Sequence, residues 1–197
     1  AHLLRTARAR VLFSFAPNSA GAWDSMLGSL VDLPDLEVVA LAEPGQYREG
    51  AARDLPTAPG RDFRIVRLSD AMAEQPADRL LIDRALKPDD VSSQFCTGGT
   101  TGLPKIAIRT HRAEVFDAWA VGRMLGAKAG QRTFFCGLPL FHVNAQLVTG
   151  LLPWMNGDHV VIGTPDGYRS KDLMAGFWDI VAHYRVSLFS GGPTISA

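Results

Sequence analysis

Short β-like runs separated by segments of helical period constrain this chain most. Val11-Leu12-Phe13-Ser14-Phe15 has the apolar and aromatic content of a strand. From Ala20 to Leu30 the apolar residues Trp23, Met26, Leu27 and Leu30 then recur at helical spacing, and Leu36 to Leu41 returns to a strand-like pattern. These strand, helix and strand steps open a βαβ series. The second half repeats the alternation. Thr133 to Cys136 and His159 to Ile162 read as strands on either side of an apolar helix from Leu147 to Met155. Leu173, Phe177, Ile180, Val181 and Tyr184 mark a last amphipathic helix, followed by a strand-like Val186 to Phe189. The predicted fold is α/β, built of alternating strands and helices.

The intervening segments are read from their punctuation. Leu3, Leu4 and Ala7 fit one face of a short helix at the start. Glu43 to Arg61 is a long surface loop broken by Pro44, Gly45, Gly50, Pro56, Pro59 and Gly60. Phe63 to Leu68 is strand-like, Ser69 and Asp70 offer an N-cap for a segment running toward Leu86 and interrupted by Pro76, and Pro88-Asp89-Asp90 turns the chain. A helix is predicted from about His111 to Leu125, with Val115, Trp119, Gly122 and Met124 on its core face and His111 at its start. The tryptophans, phenylalanines and methionines of these helices are assigned to the core. At 197 residues one domain is expected.

Between two apolar segments lies Thr97-Gly98-Gly99-Thr100-Thr101-Gly102-Leu103-Pro104-Lys105. Glycines let successive backbone N–H groups approach an anion, threonine hydroxyls add donors, and a lysine at the exit supplies a point charge suited to phosphate. Lys105 is one of only four lysines, which gives its place some weight. The run reads as a phosphate-binding loop, with a flexible turn as the alternative. The Gly-x-x-x-x-Gly-Lys-Ser/Thr loop does not fit, because Leu103 and Pro104 separate Gly102 from Lys105 and Ile106 stands where a hydroxyl is needed.

The run resembles the signature of the adenylate-forming superfamily, which includes acyl-CoA and aryl-CoA ligases, luciferases and peptide-synthetase adenylation domains. Thr97 through Lys105 follow that pattern position by position, while Cys96 replaces the usual aromatic before it and Ile106 the usual glycine after it. Gly137-Leu138-Pro139-Leu140-Phe141-His142 resembles a second family segment, and Tyr184-Arg185-Val186 through Gly192-Pro193-Thr194 a third.

The resemblance implies that residues 1–197 are a central part of an N-terminal, AMP-binding domain, without the C-terminal lid. It implies an ATP-dependent acid–CoA ligase that makes an acyl-adenylate from a carboxylic acid, a fatty acid among the options, and passes the acyl group to coenzyme A. Thr97, Gly98, Gly99, Thr100, Thr101, Gly102 and Lys105 would hold the β- and γ-phosphates of ATP, with Lys105 and Thr101 acting in catalysis. Thr101 would contribute to the magnesium shell, and His142 would line the acid pocket. On this reading the 197 residues alone are inactive. Two other readings stay open: another nucleotide-binding enzyme, or a non-catalytic α/β binding module.

Charge and composition narrow the partners. Twenty Lys and Arg against 20 Asp and Glu leave no electrostatic footprint for nucleic acid. No run has the length of a membrane span, and Ala1-His2-Leu3-Leu4-Arg5 lacks the order of a signal peptide, so a cytoplasmic location is expected. Two cysteines, Cys96 and Cys136, suit a reducing compartment, and both are expected to pack as small buried apolar residues.

Overall fold

The computed structural model describes residues 1–16, 20–30, 32–42, 54–58, 60–97, 104–126 and 130–191. The chain divides into two compact units, Ala1–Ala85 with Cys96–Ile106, and Leu86–Phe95 with Ala107–Ala197.

In the first unit a short helix α1 (His2–Thr6) leads to β1 (Val11–Phe15), α2 (Ala20–Leu30), β2 (Val38–Ala42) and β3 (Arg64–Arg67). The three strands form a parallel sheet in the order β1-β2-β3, with Val11 opposite Val38 and Val38 opposite Arg64. Central β2 buries Val39, Ala40 and Leu41, and the core joins Val39 and Leu41 to Trp23 and Leu30 of α2 and to Leu33, Leu36 and Phe63. Leu36 serves the core from a turn. Its N–H donates to the Leu33 carbonyl, so the ladder begins two residues later than the apolar run suggested. Trp23 Nε1 donates to the Thr57 carbonyl at 2.9 Å, which satisfies the polar end of a buried indole.

Helix α3 (Leu68–Ala73) is shorter than predicted and does not extend toward Leu86. Arg67, in extended backbone, occupies the N-cap position, and Ser69 and Asp70 lie inside the first turn. The helix stops at Glu74, two residues before Pro76, whose ring and missing N–H bar continuation. Of the predicted loop from Glu43 to Arg61, residues 43–53 and 59 lie outside the described residues, and the remainder has no helix or strand.

The second unit contains the paired strands β4 (Val91–Cys96) and β5 (Ile106–Thr110) up to Phe95 and from Ala107, then α4 (His111–Met124) and β6 (Thr133–Cys136). Next come α5 (Val143–Gln146), a π-helical turn (Leu147–Leu151), α6 (Leu152–Met155), β7 (His159–Ile162), α7 (Lys171–Ala175), α8 (Phe177–Tyr184) and β8 (Leu188–Phe189). Its parallel sheet runs β7-β6-β8. Successive strand residues point to opposite faces, so adjacent Phe134 and Phe135 seed two cores. Phe134 packs with Ala118 of α4 and Leu152 of α6, and Phe135 with Leu173 of α7 and Phe177 of α8. Helices therefore cover both faces of β6, as a buried parallel strand requires.

Two helices depart from their sequence patterns. Helix α4 buries Glu114, Ala118 and Gly122, while Trp119 and Met124 of the predicted core face are 55% and 86% exposed. The inner stripe turns on a charged residue, which periodicity of apolar residues cannot register. The predicted Leu147–Met155 helix starts earlier, at Val143, and is interrupted by the π-helical turn. Among the described residues no helix is long and apolar enough to cross a membrane.

Candidate functional site

The predicted loop is seen at its two ends. Thr97 donates both its backbone N–H, at 2.9 Å, and its Oγ1 hydroxyl, at 3.2 Å, to the carbonyl of Lys105. One acceptor thus pins the entry of the loop to its exit, and the Lys105 side chain lies exposed at that neck. Gly98, Gly99, Thr100, Thr101 and Gly102 lie outside the described residues. Cys96 is exposed rather than buried, a correction to its expected packing. Its neighbour Phe95 lies against the Arg109 guanidinium, 4.7 Å from ring centroid to Cζ, and alternation along the strand sends Cys96 the other way.

His142 belongs to the second unit. The chain leaves β6 at Gly137, where an added Cβ would fall 2.5 Å from the Tyr168 ring. Tyr168 N–H donates to the Gly137 carbonyl at 3.1 Å, and Gly167, at φ +52, has no room for a Cβ against the same carbonyl. That close approach fixes the start of the Leu138 to His142 segment. His142 N–H then donates to the Pro139 carbonyl at 2.8 Å, closing a turn that ends at α5. The His142 ring caps this helix, its Nδ1 accepting from the Asn144 N–H at 3.2 Å. An accepting Nδ1 places the ring proton of the neutral imidazole on Nε2, which is left as a donor on an exposed side chain. His111 has a lesser part: Thr110, not His111, caps α4 through its side chain.

Sequence reasoning missed a polar cluster in the same unit. Glu114 Oε1 accepts from Ser93 Oγ at 2.5 Å, from Arg109 Nε at 3.1 Å and from Arg109 Nη2. Arg109 Nη2 also donates to Gln146 Oε1 at 2.5 Å, and Gln146 Nε2 approaches the Glu114 carboxylate at 3.5 Å. The side chains of Arg109 and Glu114 are 15% and 9% exposed. Burial pushes the Glu114 carboxyl up, but hydrogen bonds from Arg109, Ser93 and Ser92 outweigh it and hold the group below its ordinary value. The available signal was a charged pair split between a β-like run and the inner face of the next helix, five residues apart.

Among the described residues no group of three or more His, Cys, Asp or Glu side chains could hold a metal ion. A groove of about 550 Å³ in the first unit, bordered by Leu30, Leu33 and Phe63, includes none of the predicted site residues.

Comparison with known proteins agrees with the motif reading. The family model described as AMP-binding enzyme matches residues 1–197. Marinolic acid–CoA ligase of Pseudoalteromonas sp. is 39% identical over 131 residues, covering 64% of this chain and 20% of that protein. The anthranilate CoA ligase AuaEII, solved with anthranoyl-AMP, aligns over 98% of this chain and 33% of its own at a TM-score of 0.71 and 22% identity. The N-terminal domain of FACL13 from Mycobacterium tuberculosis aligns over 94% of this chain and 49% of its own, at a TM-score of 0.58 and 21% identity. The chain spans about a fifth of the length of the curated relative and a third of the AuaEII chain. With the family model matched from end to end and the fold shared with the N-terminal domain of FACL13, this chain belongs to the AMP-binding enzyme family.

Proposed function

We propose that residues 1–197 form part of the AMP-binding domain of a longer, cytoplasmic acid–CoA ligase. The complete protein joins a carboxylic acid to ATP. A carboxylate oxygen attacks the α-phosphorus, the bond from that phosphorus to the bridging oxygen breaks, and pyrophosphate leaves. The thiol of coenzyme A then attacks the acyl carbon, and AMP departs with the electrons of the acyl–oxygen bond. Phosphorus chemistry of this kind depends on holding and neutralising oxygens more than on covalent help from the protein.

The supporting observation is the neck of the loop. Two donors of Thr97 on one Lys105 carbonyl hold the ends of a Gly/Thr-rich loop together and present an exposed lysine at its exit. In this role Gly98, Gly99 and Gly102 offer backbone donors to the β- and γ-phosphates, and Thr97, Thr100 and Thr101 offer hydroxyls. Lys105 neutralises the charge that leaves with pyrophosphate. The donor set suits magnesium arriving on the nucleotide, since that ion is held largely by phosphate oxygens and water and needs few protein ligands, with Thr101 as the contribution of this loop. The ion would neutralise charge on the phosphate oxygens. His142 faces the acid, where its Nε2–H can donate to a carbonyl or carboxylate oxygen. CoA ligases among the relatives support the acceptor, and a fatty or aromatic acid fits their range.

Calorimetric titration of this chain with ATP and with AMP tests the loop. ATP binds more tightly than AMP, and Lys105→Ala removes about tenfold or more of the ATP affinity while leaving AMP unaffected. Equal affinity for the two nucleotides, or no effect of the substitution, contradicts the assignment.

A further inference from the structure

We propose that Arg109, Glu114, Gln146 and Ser93 are positioning residues that hold the turn carrying His142 against β4, β5 and α4 of its own unit. The proposal rests on the ligase reading and adds a set of residues that its loop and pocket motifs do not contain.

Four elements meet at one carboxylate oxygen. Ser93 comes from β4, which leads into Thr97, and Arg109 from β5, which leads away from Lys105. Glu114 comes from α4 and Gln146 from α5, the helix that the His142 ring caps. Helix α5 is the first turn of a continuous helical stretch from Val143 to Met155, so the His142 turn sits at its N-terminal end, where the first N–H groups lack intrahelical acceptors. Downstream, the π-helical turn and the Thr149 hydroxyl, donating to the Ala145 carbonyl at 3.1 Å, loosen the regular register further. Upstream, the Gln146 N–H donates to the His142 carbonyl at 3.2 Å, so Gln146 and His142 share one turn. Fixing the Gln146 amide therefore fixes the rotation of the His142 turn. Arg109 Nη2 does this by bonding Gln146 Oε1 and Glu114 Oε1 together.

Stability does not explain such a cluster. Buried ion pairs are often replaced by apolar residues of similar volume without loss of stability, because desolvation offsets their attraction. Hydrogen bonds differ from apolar contacts in setting direction, and direction is what a histidine at the fraying N-terminal end of a helix needs. The Arg109 guanidinium is oriented twice, by this network and by the Phe95 ring against its face.

The test uses the full-length protein, its Gln146→Leu variant, and a variant in which Arg109, Glu114 and Gln146 are all leucine and Ser93 is alanine. Gln146→Leu raises the KM for the acid about tenfold and changes the KM for ATP less than about twofold, in the direction of His142→Ala, with an unaltered circular dichroism spectrum. The fully apolar variant keeps its thermal midpoint and still shows the raised acid KM. Wild-type acid KM in either variant, or equal rises in both KM values that follow lost stability, overturns the proposal. Hydrogen exchange over residues 142–147 reads the lock without turnover. Exchange there is faster in Gln146→Leu, and unchanged protection overturns the proposal whether or not the protein is a ligase. A wild type that turns over no acid with ATP overturns the ligase reading itself.

Discussion

Tyr168 illustrates what a single buried group does to the behaviour of this chain. Burial, with a smaller effect from nearby Cys136, pushes its phenol from 10.0 up to about 12. A raised pKa means that the folded state holds the proton more tightly than the unfolded chain. That stabilisation is complete below a pH of 10.0 and is lost as pH climbs toward about 12. Its hydroxyl has no hydrogen-bond partner among the described residues. Tyr168→Phe should therefore leave stability near neutral pH unchanged or raised by up to about 1 kcal/mol, and should flatten the alkaline loss. Urea unfolding at neutral and alkaline pH measures both, and a loss above about 1 kcal/mol at neutral pH would show that the hydroxyl is bonded. Residue roles were unevenly legible. Lys105 could be singled out by the residue types of its loop, and His142 by the resemblance of its segment to a family motif. Arg109, Glu114 and Gln146 could not, because their partnership depends on contacts between residues as far apart as 109 and 146.

At the scale of elements, local pattern predicted β1, α2, β6 and β7 with their observed bounds, since each is a short run with clear punctuation. It failed where tertiary contacts decide. Helix α4 turns its Glu114 face inward because Arg109 neutralises the carboxylate there, and α3 ends early because Pro76 cannot be crossed. The turn after β7 holds Thr164-Pro165-Asp166-Gly167, and its glycine does more than permit a bend. An added Cβ on Gly167 would lie 2.0 Å from the Gly137 carbonyl oxygen, whereas Gly157, also left-handed at φ +68, has open space around it. Gly157→Ala should cost about 1 kcal/mol, the backbone strain alone. Gly167→Ala should cost about 3 kcal/mol or more, since backbone must move at the start of the His142 segment. Thermal unfolding of the two variants separates the effects, and equal losses would mean that the close approach to Gly137 is not maintained.

For the whole molecule, the α/β class followed from the alternation of periods, and each unit builds its own parallel sheet around one buried central strand. The division into two units was not legible, because length counts residues and not contacts. A chain can bury such cores without carrying every group that a reaction needs, so folding and catalysis can separate. This chain spans about a fifth of its curated relative, and the proposed chemistry draws on groups beyond the phosphate loop. Acid-dependent exchange of labelled pyrophosphate into ATP, compared among the full-length protein, its Lys105→Ala variant and residues 1–197 alone, tests that chemistry directly. Exchange by the full-length protein that requires the acid, falls about a hundredfold or more in Lys105→Ala, and is absent from residues 1–197 is the predicted result. Exchange that needs no acid, survives Lys105→Ala, or proceeds in residues 1–197 alone would contradict it.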